Sequence, residues 1–175
     1  PSAIGYAESS KIPFELGIIR NHYVGRTFIE PQQSIRAMGV KLKHNANRLL
    51  VDGKKVVLID DSLVRGTTSV KIVQMMRDAG ATEVHMRIAA PPITHPDYYG
   101  IDTPIKDQLL AANNKLNEMC KSIGADSLKF LSINGLYKAM GHKDGRNGES
   151  PEYTDHCFTG DYPTPLRDQE DNNHI

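Results

Sequence analysis

The stretch that most constrains the fold lies between residues 55 and 80. An apolar, β-branched run, Lys55-Val56-Val57-Leu58-Ile59, ends in two carboxylates, Asp60 and Asp61. Ser62, Leu63, Val64, Arg65, Gly66, Thr67, Thr68 and Ser69 follow as a short polar loop. Residues 70–79 then have helical spacing, and Gly80 suits a helix C-cap. Residues 83–90 (EVHMRIAA) read as a second strand, stopped by Pro91-Pro92. Strand, helix and strand of these lengths make a βαβ unit, which requires a parallel pairing. Ligands of open parallel sheets bind beyond the carboxyl ends of the strands. Topology therefore puts Asp60, Asp61 and the loop 62–69 on the binding side.

The residue types there suit a sugar phosphate. Amides and hydroxyls at a helix N-terminus attract a phosphate. Paired carboxylates accept ribose hydroxyls or hold a hard metal ion. A plain surface turn needs only one Asp or Ser as a cap, and DDSLVRGTTS contains more than that. The lysine of a GxxxxGK[ST] loop is missing, which disfavours a nucleoside triphosphatase.

Around this unit, residues 1–10 read as the end of a helix and 14–20 as a short strand. Residues 21–48 form a long connection carrying Tyr23, Arg26, Lys41, Lys43 and Arg48, a length that points to a functional lid or to disorder. Leu49-Leu50-Val51 before Asp52-Gly53 reads as a hairpin into the strand at 55–59. The helix over 67–79 is expected to turn Val70, Val73, Met76 and Ala79 toward a sheet. One amphipathic helix is expected over 105–123, a strand over 127–132 and a short helix over 135–140. From residue 141 the chain is polar and rich in Gly, Asn, Asp and Pro, so 1–140 reads as the domain and 141–175 as a mobile tail. The expected class is α/β, a mostly parallel sheet flanked by helices.

Lysines and arginines number 21 and so do the acids, giving no net charge. General attraction to nucleic acid or to a membrane surface is not indicated. No apolar run approaches a membrane span. The chain has two cysteines, Cys120 and Cys157. They are far apart and form no disulfide framework, which suits a reducing, cytoplasmic setting. Cys120 is expected to fill core on the 105–123 helix. The histidines show no metal-ligand spacing. The first residue is Pro1, and Ala3-Ile4-Gly5-Tyr6-Ala7 reads as mid-helix, so a fragment of a longer protein is expected.

Residues 56–69 (VVLIDDSLVRGTTS) resemble the phosphoribosyl pyrophosphate (PRPP) motif of type I phosphoribosyltransferases. Residues 17–29 (GIIRNHYVGRTFI), 40–48 (VKLKHNANR) and 99–104 (YGIDTP) resemble segments peculiar to the amidophosphoribosyltransferase family. The resemblance covers about residues 3–140, and weakly Cys157-Phe158-Thr159-Gly160. It implies a type I phosphoribosyltransferase fold with a long flexible loop over the site. The implied reaction joins PRPP and ammonia to give 5-phosphoribosylamine and pyrophosphate, opening purine nucleotide synthesis, with purine nucleotides as inhibitors and a homo-oligomer at full length.

By the same resemblance, Asp60 and Asp61 meet the ribose hydroxyls and Mg2+ of PRPP. Ser62, Arg65, Gly66, Thr67, Thr68 and Ser69 belong to the loop that holds the 5-phosphate. Residues 23–43 match the loop that closes over PRPP, with Tyr23 among the substrate contacts. Arg26 and Lys43 are the candidates for the pyrophosphate. Cations there strengthen their hold as charge develops on the leaving group, and closure excludes water.

Three departures matter. The family's glutaminase half, with its N-terminal cysteine nucleophile, is not in these residues, so ammonia is expected from a missing domain. A serine-containing segment that helps hold the metal precedes the matched region. Some members also carry an iron–sulfur cluster, with a cysteine at the place of Asp97 and a CxxC near residues 152–156. Neither is present here, and no cluster is expected. A salvage phosphoribosyltransferase would need base-recognition segments that are not apparent. A PRPP-sensing regulator of nucleic acid would need a basic module.

Overall fold

A computed structural model describes residues 1–20, 44–101, 103, 105–149 and 151–166. Helix α1 (Ser2–Ser10) leads to strand β1 (Ile18–Arg20), which pairs antiparallel with β2 (His44–Ala46). A short helix, α2 (Arg48–Val51), precedes β3 (Lys55–Asp60). Then come α3 (Thr67–Asp78), β4 (Glu83–Ile88), a 3-10 turn at Lys106–Gln108, α4 (Leu110–Asn113), α5 (Leu116–Ser122), β5 (Ser127–Phe130), α6 (Ile133–Ala139) and α7 (His156–Thr159).

The main sheet has the order β3-β4-β5 and both pairings are parallel. Helix α3 makes the crossover between β3 and β4, as the βαβ reading requires. The alternation in β4 shows how the sheet is loaded. Val84, Met86 and Ile88 are buried against Leu58, Leu128 and the α3 face. Glu83, His85 and Arg87 point to the other face and pair with polar partners. His85 bonds Ser127 Oγ and Glu83 Oε2, both at 2.9 Å, and Arg87 donates to Ser127 Oγ at 3.0 Å. Cross-strand Lys55 and Glu83, opposite in register, form an ion pair at 2.6 Å.

Several boundaries differ from the sequence reading for local physical reasons. Leu49-Leu50-Val51 belongs to α2, not to a hairpin strand: Asp52 N–H bonds the Arg48 carbonyl, Val51 is buried and Leu49 is exposed. A three-residue apolar run carries no period, so it cannot separate helix from strand. The strand expected over 14–20 is confined to 18–20, where β2 offers a partner. The buried face of α3 is Ser69, Ile72, Val73 and Met76, while Val70 is exposed.

The single helix expected over 105–123 is three pieces. Asn113 donates its amide to the Lys106 and Leu109 carbonyls, and Asn114 to the Leu110 carbonyl, each at 2.9 Å. Side-chain amides that capture nearby carbonyls compete with the helical ladder. Glu118 then accepts the Lys115 N–H at 2.7 Å and restarts the chain as α5. Cys120 is half-buried and its thiol faces the Ala125 carbonyl at 3.2 Å.

The polar segment after residue 141 makes many side-chain bonds over its described part. Asp155 accepts from Tyr137, Arg146 and Thr159. Thr94 and His95 amides donate to the Cys157 carbonyl at 2.9 and 3.1 Å. Asp155 thus partners α6, and the Cys157 carbonyl partners the loop that follows β4. Among the described residues no helix is long and apolar enough to cross a membrane.

Candidate functional site

The site grows out of the carboxyl end of β3. Asp60 is the strand's last residue, and its carbonyl accepts the Ala89 N–H at 2.9 Å, which fixes it beside the end of β4. Its side chain is half-buried and accepts the Asp61 N–H on Oδ1 at 3.0 Å. Burial, and the neighbouring Asp61 charge, hold the Asp60 carboxyl above its ordinary value against that hydrogen bond. Asp61 is exposed and takes the Ser62 hydroxyl at 3.2 Å. One carboxylate is therefore half-buried at the strand end and the other stands exposed beside it.

The chain then turns over the buried Leu63 and starts α3 at Gly66. Gly66 has φ +80°, a conformation costly for any residue with a side chain. As N-cap it carries no side chain to satisfy the helix's first amides. Those amides have no carbonyl one turn back, and Thr67 and Thr68 stand beside them with their hydroxyls. Such an end attracts an anion. Val64 and Gly66 are braced from behind by α4: Leu110 N–H donates to the Val64 carbonyl at 2.8 Å, and Leu110 Cδ2 covers the Gly66 α-carbon. Arg65, exposed, donates from Nε to Gln108 Oε1 at 3.1 Å.

Asp60, Asp61, Ser62, Arg65, Gly66, Thr67, Thr68 and Ser69 thus lie along one strand-to-helix turn. Ser69 is buried on the inner face of α3. Tyr23, Arg26 and Lys43 lie outside the described residues. Gln108 and Leu110 were not singled out by sequence, since nothing local marks a brace 43 positions downstream.

A second polar cluster joins the loop after β4 to α7. Asp97 Oδ1 accepts the Tyr99 and Ile101 amides at 2.7 and 3.0 Å, and Oδ2 accepts His156 Nε2 at 2.7 Å. Cys157 Sγ lies 3.8 Å from the same Oδ2. Burial works against the Asp97 charge, but the amides and His156 outweigh it and hold the carboxyl below its ordinary range. The Cys157 thiol is pushed up to about 11, by burial first and then by Asp97. The sequence reading linked Asp97 with the segment before Cys157 only through the family's cluster positions; the contact from His156, 59 positions away, was not visible in it. The two cysteines of the chain cannot supply the four thiolates that an iron–sulfur cluster takes, so these residues do not fit that group.

A parallel sheet with acids at a strand end, followed by a glycine-started helix, is the arrangement that the resemblance to type I phosphoribosyltransferases implies. The sequence similarity is narrower and points to the amidophosphoribosyltransferases. The chain is 67% identical to the Rhizobium etli amidophosphoribosyltransferase over 97% of its own length and 34% of that protein's. It is 53% identical to the Bacillus subtilis enzyme over 94% of its length and 34% of that protein's. The structure of the B. subtilis glutamine PRPP amidotransferase complexed with ADP and GMP matches with a TM-score of 0.79 at 53% identity, covering 94% of this chain and 36% of that one. The chain spans about a third of the length of these relatives. No family model matches it.

Proposed function

We propose that this chain carries the phosphoribosyl-transfer part of an amidophosphoribosyltransferase. The reading rests on one observation: two carboxylates at the end of β3 lead directly into a helix whose first turn is left open by Gly66. The amides of residues 66–69 and the hydroxyls of Thr67 and Thr68 hold the 5-phosphate, with Ser69 behind them on the inner face of α3, and Asp60 and Asp61 hold the ribose hydroxyls. Arg26 and Lys43 take the pyrophosphate, and Tyr23 contacts the substrate. Arg65, tied to Gln108, keeps the phosphate loop in shape.

The same two acids suit Mg2+. Their oxygens are the hard donors that ion prefers, and a cation beside Asp60 relieves the cost of its half-buried charge. When bound, Mg2+ neutralises charge on the pyrophosphate. The reaction breaks the bond from C1 to pyrophosphate, whose oxygen keeps the electron pair. Ammonia attacks C1 from the opposite face and then loses a proton to solvent. No side chain acts as nucleophile, so the work of this chain is positioning and charge stabilisation.

In the longer protein, glutamine hydrolysis in another domain supplies the ammonia. One solved relative is described as the allosteric regulatory enzyme of purine biosynthesis, and another was complexed with ADP and GMP. Those descriptions support purine nucleotides as inhibitors and a place at the opening of that pathway. A homo-oligomer at full length and a cytoplasmic setting complete the reading.

The test is pyrophosphate release from Mg2+–PRPP with ammonium as the sole acceptor. Release that rises with ammonia is expected, from the full-length protein if the 175-residue chain alone does not bind PRPP. Release independent of ammonia, or PRPP binding without any release at full length, overturns the reading.

A further inference from the structure

We propose that Asp97, His156 and Cys157 form a site for one divalent transition-metal ion of the zinc type, separate from the Asp60–Asp61 site. One ligand atom from each of the three residues lies within 4.8 Å of the others. Around tetrahedral zinc, sulfur, nitrogen and oxygen donors stand about 3.3–3.8 Å apart. The distance from Asp97 Oδ2 to Cys157 Sγ, 3.8 Å, is within about 0.3 Å of the sulfur–oxygen separation there. The distance from Asp97 Oδ2 to His156 Nε2, 2.7 Å, is that of a hydrogen bond, and an ion replacing its proton needs about 0.6 Å of opening.

The surroundings prepare the donors. Both lone-pair directions of Asp97 Oδ1 are used by the Tyr99 and Ile101 amides, so Oδ2 is the oxygen turned toward His156 and Cys157. Outer partners of this sort orient metal-binding carboxylates. The Thr94 and His95 amides fix the Cys157 carbonyl, and Tyr99 and Tyr162 rings pack on the His156 imidazole at 5.1 Å. The Asp97 and His156 side chains are 2% and 5% exposed. His156 Nδ1 is buried and has no hydrogen-bond partner among the described residues.

Charge and softness select the ion. A carboxylate and a thiolate together neutralise a dication, leaving a buried site without net charge. One sulfur and one nitrogen donor disfavour Mg2+ and Ca2+ and suit Zn2+ or Co2+. Binding replaces the thiol proton by the metal and releases it to solvent. A water can complete the fourth position. The bound ion ties the loop after β4 to α7.

The test uses Co2+ as probe. Titration of the purified protein is expected to give one Co2+ per chain with a sulfur-to-cobalt charge-transfer band, and added Zn2+ should abolish the band. Asp97→Asn should weaken binding by about 10-fold or more, and Cys157→Ser should remove the band. The Asp60→Asn/Asp61→Asn double variant should leave it intact. Alkylation of the unaltered protein covers the case in which a variant does not fold. Zn2+ should shield Cys157, located by mass spectrometry, while Cys120 serves as the reference. No charge-transfer band at stoichiometric Co2+, a band that survives Cys157→Ser, or Cys157 alkylation unchanged by Zn2+ overturns the proposal.

Discussion

Leu110 occupies the space that a side chain on Gly66 would need: a Cβ there would meet Leu110 Cδ2 at 2.9 Å, with the backbone at φ +80°. The two residues come from different elements, so the shape of the loop 62–66, proposed to hold the phosphate, depends on a helix 44 positions away. Gly66→Ala is expected to cost about 1–3 kcal/mol, from the left-handed backbone and the displaced leucine together. The displaced turn also re-aims the first amides of α3. Denaturant unfolding should therefore show a modest loss, and KM for PRPP should rise by about tenfold or more. A normal KM at reduced stability would remove the loop from phosphate binding.

The paired acids make a different kind of prediction. The Asp60 carboxyl is held above its ordinary value by burial and by Asp61, so folding disfavours its charge. For a carboxylate with a raised folded value, the native state loses stability as pH rises and the group ionises. Asp60→Asn should then leave the melting temperature unchanged or higher at pH 7, and Asp61→Asn should change it little. Both should depress pyrophosphate release strongly. Parallel loss of melting temperature and activity would make these residues structural rather than functional.

Much of this was legible because the strongest local signals coincide. The run VVLID, the acid pair and the glycine before TTS each say something different, and only a strand–turn–helix satisfies all three. The parallel sheet followed from element order. What was not legible depends on contacts between distant residues. Asn113 and Asn114 break a helix that periodicity drew as continuous, because periodicity does not register side-chain amides taking backbone carbonyls. Arg65 and Gln108, or Asp97 and His156, meet only after folding. The polar composition after residue 141 reads as a tail; Arg146 and Asp155 of that segment also join Tyr137 in a buried network, a contact that composition does not register.

The Arg77–Asp126 pair offers a test of the scaffold alone. Asp126 Oδ2 accepts the Val84 N–H at 2.6 Å and Arg77 Nη2 at 2.7 Å, linking α3, β4 and the turn before β5. The Val84 amide is the first cause of its lowered value, with Arg77 adding to it against burial. Asp126→Ala should cost about 1–2 kcal/mol, because it strands a backbone amide at the strand start while the ion pair is half-exposed and screened. Salt should reduce only the ionic share. Thermal unfolding in low and high salt checks this; a loss fully abolished by salt would assign the whole effect to the ion pair.

Asp155 sits where α6 and the last described segment meet, with its side chain 4% exposed. It accepts Tyr137 Oη at 2.8 Å and Arg146 Nε at 2.6 Å, while Arg146 also reaches Asp161. Burial raises the Asp155 carboxyl, but the hydrogen bonds from Arg146, Tyr137 and Thr159 together outweigh it, and the group ends below its ordinary value. A carboxylate depressed on folding contributes stability that is complete above its unfolded value, about 3.9, and lost as pH falls through the folded one. Asp155→Asn keeps the shape and removes the charge. At pH 7 it should cost about 3 kcal/mol, the range for breaking a buried pair from one side. Below pH 4 the gap between variant and parent should narrow as the parent's own carboxyl takes a proton. Urea unfolding across pH 3–7 measures that gap directly; a difference that stays constant through the range would mean that Asp155 contributes by packing and not by charge.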